Sequence, residues 1–246
     1  MDKIKLFLYR SEYQYIEDIC KYIGIKIISN NKNELINKIL ICFKEYDEFK
    51  TKNLNKYVIC NQIGNKGKEG ITFLVKFRNK EYAMKRFNKK KSSINIQKEA
   101  TLQIKASTSG ISPKIIDVDI VNNFIVMEKM DKHLIDLIKE NNGCLSDNYQ
   151  KQIINIFMKL DQCKVFHADS NLINYMLKDD KIYIIDFGMS KLIDDKLIKK
   201  LNTNTPNLEF MNLGFILKLK EFKFNSSSFK VLLSFVSNSN RMKYGL

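Results

Sequence analysis

His167-Ala-Asp-Ser-Asn-Leu-Ile-Asn174 is followed, after a short apolar stretch, by Ile184-Ile-Asp-Phe-Gly188. Residues 175–178 and 181–185 are apolar runs broken by Lys178-Asp-Asp-Lys181, which predicts a two-stranded hairpin. Asp169 and Asn174 sit five apart on one loop before that hairpin, and Asp186 lies twelve residues further on, after it. The hairpin therefore brings the loop and Asp186 back together. Two carboxylates and an amide oxygen are hard donors of the kind that suit Mg²⁺. The bland alternative is an Asp and an Asn that happen to precede a hairpin.

The pattern continues upstream. Tyr57–Ile63, Ile71–Phe77 and Glu81–Phe87 are short runs rich in apolar, β-branched and aromatic residues, separated by glycines and charges, and read as strands. Residues 92–108 have a helical pattern, and 115–120 and 123–128 are two further strands. From Lys132 onward helices dominate. A strand-rich first part joined to a helix-rich second part predicts an α+β, two-lobed domain over 57–246, with 57–130 as small lobe and hinge and 131–246 as large lobe.

Transfer of a phosphoryl group needs positioning and charge neutralisation more than covalent chemistry: one carboxylate to orient the attacking hydroxyl, and oxygen ligands to hold Mg²⁺ on the phosphates. The two segments at 167–174 and 184–188 resemble the catalytic loop and the Asp-Phe-Gly motif of the protein kinase superfamily. The resemblance implies that Asp169 is the catalytic base and that Asn174 and Asp186 bind the metal. It also implies that His167 packs beneath Phe187, and that the cofactors are ATP and Mg²⁺. Ala83-Met84-Lys85 resembles the Val-Ala-Ile-Lys motif, whose lysine holds the α- and β-phosphates. Such a lysine needs a carboxylate from the next helix, and Glu99 is the sole acidic residue between Arg86 and Ile116. The bland alternative for Lys85 is one more surface lysine beside those of 86–91.

Gly64, Gly67 and Gly70 lie in Ile63-Gly-Asn-Lys-Gly-Lys-Glu-Gly-Ile-Thr72, where glycines let backbone approach phosphates. The fit to a G-x-G-x-x-G loop is imperfect, with one extra residue between the first two glycines. Phe124–Met130 resembles the strand that leads into the hinge. That resemblance puts Met127 at the back of the adenine pocket, backbone groups of Glu128 and Met130 on the adenine, and Ala83 and Met176 on its two faces.

Three departures mark a compact, atypical member. Ala168 stands where an arginine usually receives an activation-loop phosphate, Asn171 where Ser/Thr kinases place a lysine, and no Ala-Pro-Glu follows Met189. Glu209–Gly214 resembles the next core helix, with Glu209 where an aspartate is usual. The reading is a Ser/Thr-type protein kinase acting on an unidentified protein. The alternatives are a small-molecule phosphotransferase, whose relatives share the H-x-D-x-x-x-x-N logic, and a pseudokinase scaffold that binds nucleic acid.

Residues 1–56 form a separate helical segment and linker. Tyr15, Ile19, Cys20 and Ile23 recur at helical spacing, with Gly24 as stop. Asn33 is a candidate cap for a second helix carrying Leu35, Ile36, Ile39, Leu40 and Phe43. Residues 47–56 are polar and read as the linker. The pair over 11–46 resembles the SAP helix–loop–helix, which implies DNA contact through Lys26, Lys32 and Lys38; a cap docked on the small lobe is the alternative. The net charge of +15 comprises +3 from 1–56 and +12 from the rest. A basic surface attracts nucleic acid or other acidic partners; the alternative is a solvated lysine-rich surface produced by a codon bias towards Lys, Asn and Ile, as in an AT-rich viral or parasite genome. Five scattered cysteines without a Cys-x-x-Cys pair point away from disulfides and zinc. No secretory leader and no run of about 20 apolar residues is evident, so a cytoplasmic protein without a membrane span is expected.

Overall fold

The structure is a computed structural model that describes residues 8–22, 24–27, 31–64, 67, 69–224 and 228–246. The chain divides into two compact units, Met1–Tyr57 and Val58–Leu246.

The first unit holds helices α1 (Tyr13–Tyr22) and α2 (Lys32–Asn55). Gly24 has φ +76°, and the bond from Ile25 N–H to the Cys20 carbonyl (2.8 Å) closes α1. Ile23 lies outside the described residues. Leu8, Ile16, Cys20, Leu35, Ile36 and Ile39 form its core. Two expectations are corrected. The cap of α2 is Asn31, whose Oδ1 accepts from Asn33 N–H at 3.0 Å, because the helix already begins at Lys32. The expected linker at 47–56 is helical as far as Asn55. Residues 47–55 contain no Gly or Pro to break the helix.

In the second unit β1 (Val58–Gln62), β2 (Gly70–Phe77), β3 (Lys80–Phe87), β4 (Ile115–Asp119) and β5 (Phe124–Glu128) form an antiparallel sheet ordered β1-β2-β3-β5-β4. Helix α3 (Ser93–Thr108) crosses over between β3 and β4, its first turn capped by the Ser92 hydroxyl on Asn95 N–H. Then come β6 (Lys132–His133), α4 (Leu134–Glu140), α5 (Asp147–Gln162) and β7 (Val165–Phe166). A 3₁₀ turn at Leu172–Asn174 leads into the hairpin β8 (Tyr175–Lys178) and β9 (Lys181–Ile184), which β6 extends to three strands. β10 (Lys191–Leu192) pairs with β7. Helix α6 (Asp195–Leu201), a π-turn at Asn207–Met211 and helices α7 (Asn212–Glu221), α8 (Lys230–Ser234) and α9 (Asn238–Tyr244) follow. No helix of the described residues is long and apolar enough to cross a membrane.

Helix α3 is the element that positions the site. Ile96 and Ala100 pack with Phe87 and Ile125 of the sheet. Leu102 and Ala106 belong to the larger core built by α4, α5, α7 and the β8–β9 hairpin. Glu99 falls at the join between these two packing faces, and its side chain is only 2% exposed.

Candidate active site

A buried carboxylate costs several kcal/mol unless charges and hydrogen bonds compensate it. Glu99 is compensated on both oxygens. Its Oε1 accepts from Lys85 Nζ at 2.7 Å and its Oε2 from Lys91 Nζ at 2.5 Å. Lys85 also reaches Asp186 Oδ1 at 2.7 Å, across 101 residues of sequence. Burial alone would lower the Lys85 pKa, but the Glu99 and Asp186 carboxylates outweigh it and hold the ammonium above its ordinary value of 10.5. Burial likewise acts to raise Asp186, and the adjacent Lys85 ammonium more than offsets this, leaving the acid below its ordinary value. The pair is therefore ionised throughout the neutral range.

Asp169 is held at both oxygens, Oδ1 by Asn171 N–H (3.1 Å) and Oδ2 by the Asn174 amide (2.9 Å). Asn174 is buried, and its carbonyl accepts from Ile185 N–H, next to Asp186. The His167 ring meets Phe187 edge-on with centroids 5.0 Å apart. Nδ1 of His167 faces the Asp169 carbonyl at 3.1 Å and Nε2 the Ile185 carbonyl at 3.0 Å, so one imidazole ties both loops together. Its burial holds the His167 pKa below 6.5 despite those carbonyls.

The structure thus brings Lys85, Glu99 and Asp186 together, and joins Asp169 to Asn174. Ala83 lies opposite Met127 in the β3–β5 register, while Met176 lies opposite His133 on β8. Met130 is buried. The N–H of Glu128 already donates to the Lys114 carbonyl at 3.0 Å, so that group is not the one turned to a ligand.

Each of the three glycines of this segment has its own backbone setting. Gly64 has φ +76°, which only glycine adopts cheaply. Gly67 N–H bonds the Gly70 carbonyl at 3.0 Å. Gly70 opens β2 opposite Phe87, and a Cβ there would lie 2.2 Å from the Arg86 carbonyl oxygen, so the strand ladder itself demands glycine. Residues 65, 66 and 68 of this segment lie outside those described.

Three residues of the site escaped the sequence reading. Lys91 is no surface lysine, since its side chain is 9% exposed and bridges Glu99 to Glu69 (both 2.5 Å). A lysine directly before an N-cap opposes the helix dipole, which was a signal that something else holds it. Glu69 follows from Lys91. The third is Asn207. Its Oδ1 accepts from His167 N–H (3.0 Å), and its amide donates to Asp161 Oδ1 (2.7 Å) and the Val165 carbonyl (2.8 Å). Glu209, placed by its motif where an aspartate is usual, instead accepts from the hydroxyls of Thr203 and Thr205. The buckle of the π-turn gives the contact with loop 167–174 to a residue two positions earlier, which no linear motif would reveal.

In the first unit Lys32 donates to the Tyr9 carbonyl at 3.0 Å and Lys38 pairs with Glu34 at 3.0 Å, so two of the three lysines offered for DNA phosphates are already engaged.

Among protein families, the model of the RIO domain matches residues 67–200, more than half of the chain. The chain belongs to the RIO domain family. RIO domains are atypical members of the protein kinase superfamily, ATP-binding phosphotransferases by class. The mixed α/β architecture with an antiparallel sheet fits that kinase-like fold. The RIO match opens within the glycine-bearing segment, takes in Lys85, Glu99, Asp169, Asn174 and Asp186, and ends in α6. No curated protein matches the chain.

Proposed function

We propose that the chain is a two-lobed, ATP-dependent protein kinase that transfers the γ-phosphate to Ser/Thr hydroxyls of a protein substrate. The observation that carries this is Lys85 set 2.7 Å from both Glu99 and Asp186, a lysine fixed between the helix carboxylate and a metal-type aspartate. Mg²⁺ fits the donors present. Asp186 offers an ionised carboxylate, and Asn174, whose N–H₂ is turned to Asp169, offers its amide oxygen. When bound, the ion would supply charge neutralisation on the nucleotide phosphates.

In this reading Lys85 binds the α- and β-phosphates, and the hinge at Glu128–Met130 receives the adenine between Ala83 and Met176. Asp169, held by Asn171 and Asn174, orients the acceptor hydroxyl and takes its proton. Retention of Glu99 and Phe187-Gly188 favours a protein acceptor over a small alcohol. Ser190, the first hydroxyl after Gly188, is buried and donates to the His167 carbonyl, which supports an enzyme that needs no activating phosphate there.

The test is transfer of label from γ-labelled ATP to generic acceptor proteins and, separately, to amino-alcohols. Asp169→Asn should lower transfer at least a hundredfold and leave MgATP affinity within about twofold, since the variant removes the base and no proposed nucleotide contact. Transfer at the wild-type rate by the variant, or label on the amino-alcohols alone, would refute the assignment.

A further inference from the structure

Lys91 and Glu69 have no part in the site as the kinase motifs describe it, yet they complete its charge pattern. Asp186, Lys85, Glu99, Lys91 and Glu69 form one line of alternating charges with links of 2.7, 2.7, 2.5 and 2.5 Å. Carboxylate oxygens of Glu69, Glu99 and Asp186 lie within 4.8 Å of one another. A Cβ on Gly188 would be 2.6 Å from Glu69 Oε2 and 3.3 Å from Asp186 Oδ1, so the Glu69 carboxylate rests against the Asp-Phe-Gly turn. Its backbone is fixed to the end of β3, where the Glu69 carbonyl accepts from Asn88 N–H at 2.8 Å.

Two features of Lys91 need a cause. Its side chain is only 9% exposed, and its ammonium lies 4.7 Å from the centre of the Phe87 ring, which Lys85 also approaches at 5.2 Å. It also sits just before the N-cap of α3, where a cation is disfavoured. Glu99 alone could neutralise one lysine; here it holds two, side by side over one aromatic face. The second anion on Lys91 is a half-exposed carboxylate on the glycine segment, lodged beside the aspartate proposed to bind the metal.

We infer that Lys91 is a second phosphate-binding lysine, and that Glu69 is an internal anion occupying its phosphate position until nucleotide displaces it. The inference rests on the nucleotide reading proposed above. Three carboxylates against two ammoniums leave the line with a formal charge of −1, which disfavours phosphate. Turning Glu69 out leaves two of each, and the phosphate then meets two adjacent ammoniums anchored by a single buried carboxylate.

The experiment titrates the full chain calorimetrically with MgATP, ATP in EDTA and adenosine. Glu69→Gln should bind both forms of ATP about two- to fivefold more tightly, the worth of one half-exposed ion pair. Lys91→Met, made in the Glu69→Gln background so that no unpaired Glu69 competes, should bind both about tenfold more weakly, and Lys91→Arg should recover most of the loss. Adenosine binding should stay unchanged throughout. Weaker or equal ATP affinity in Glu69→Gln overturns the inference, and weakening with MgATP alone would make Glu69 a metal ligand instead. If the wild type binds MgATP and Lys85→Met weakens it while Lys91→Met does not, this inference fails and the nucleotide site stands. If the wild type takes up none of the three probes, both fall.

Discussion

Replacing Glu99 by Gln tests whether this one carboxylate organises the site. Gln has the same shape, so the packing of α3 is kept and electrostatics alone changes. Its carbonyl oxygen can still accept from one lysine, but its N–H₂ must then face the other ammonium, donor against donor. One charge-assisted hydrogen bond is lost and the other becomes ion–neutral; such bonds are worth about 1.5–3 kcal/mol each. Removing a partner from a buried pair typically costs about 3–5 kcal/mol when a charge is stranded. Here Lys85 keeps Asp186 and Lys91 keeps Glu69, so about 2–3 kcal/mol is the expected loss. For a unit of 189 residues, Val58–Leu246, each kcal/mol moves the midpoint by about 2–4 °C, which gives a fall of about 4–12 °C. Asp186 and Glu69 are 46% and 45% exposed, so Asp186→Asn and Glu69→Gln should each cost no more than about 1 kcal/mol. The assay is thermal unfolding of the three variants by circular dichroism. A Glu99→Gln midpoint within 1 °C of wild type, or a larger fall in either of the other two, would refute the reasoning.

Three other outcomes are expected. Gly70→Ala forces β2 and β3 apart at Arg86 and should cost about 1–3 kcal/mol, read as a lower urea midpoint with unchanged slope. Asn207→Ala strands the buried His167 N–H and Val165 carbonyl and should cost about 2–4 kcal/mol, with the His167 amide exchanging faster with deuterium. On acidification, unfolded chains protonate His167 near its ordinary 6.5 while the folded protein resists. The unfolded state thus binds more protons, and stability falls as pH drops below about 6.5, by at most about 1.4 kcal/mol per unit. Midpoints measured from pH 7.5 to 5.5 should show that slope in the wild type and a flatter one in His167→Asn.

The sequence made much of this legible where chemistry and chain order coincide. Loop 167–174, the hairpin after it and Asp186 are close in sequence, so spacing alone juxtaposes them. Glu99 could be found by elimination, because it is the one acid in its helix. What stayed hidden depends on tertiary geometry. Lys91 reads like any lysine in a basic chain until Glu99 is seen to have a second oxygen to satisfy. Asn207 touches His167 across 40 residues through a local π-turn, and hydrophobic periodicity carries no trace of such a buckle. The helical run to Asn55 has the polar composition of a linker, and only its lack of a helix breaker hints at the helix.

Helix α3 is nailed into two cores, with Ile96 and Ala100 in one and Leu102 and Ala106 in the other. It therefore works as a splint across a joint, and Glu99 is the rivet at its middle. Slack introduced on either side, by a methyl lost near Ile125 or near Leu160, would arrive at the same two lysines. Two clusters of packing that share no buried residue are in this way mechanically coupled, because a shift in one must be matched by the other for the charge line to stay in register.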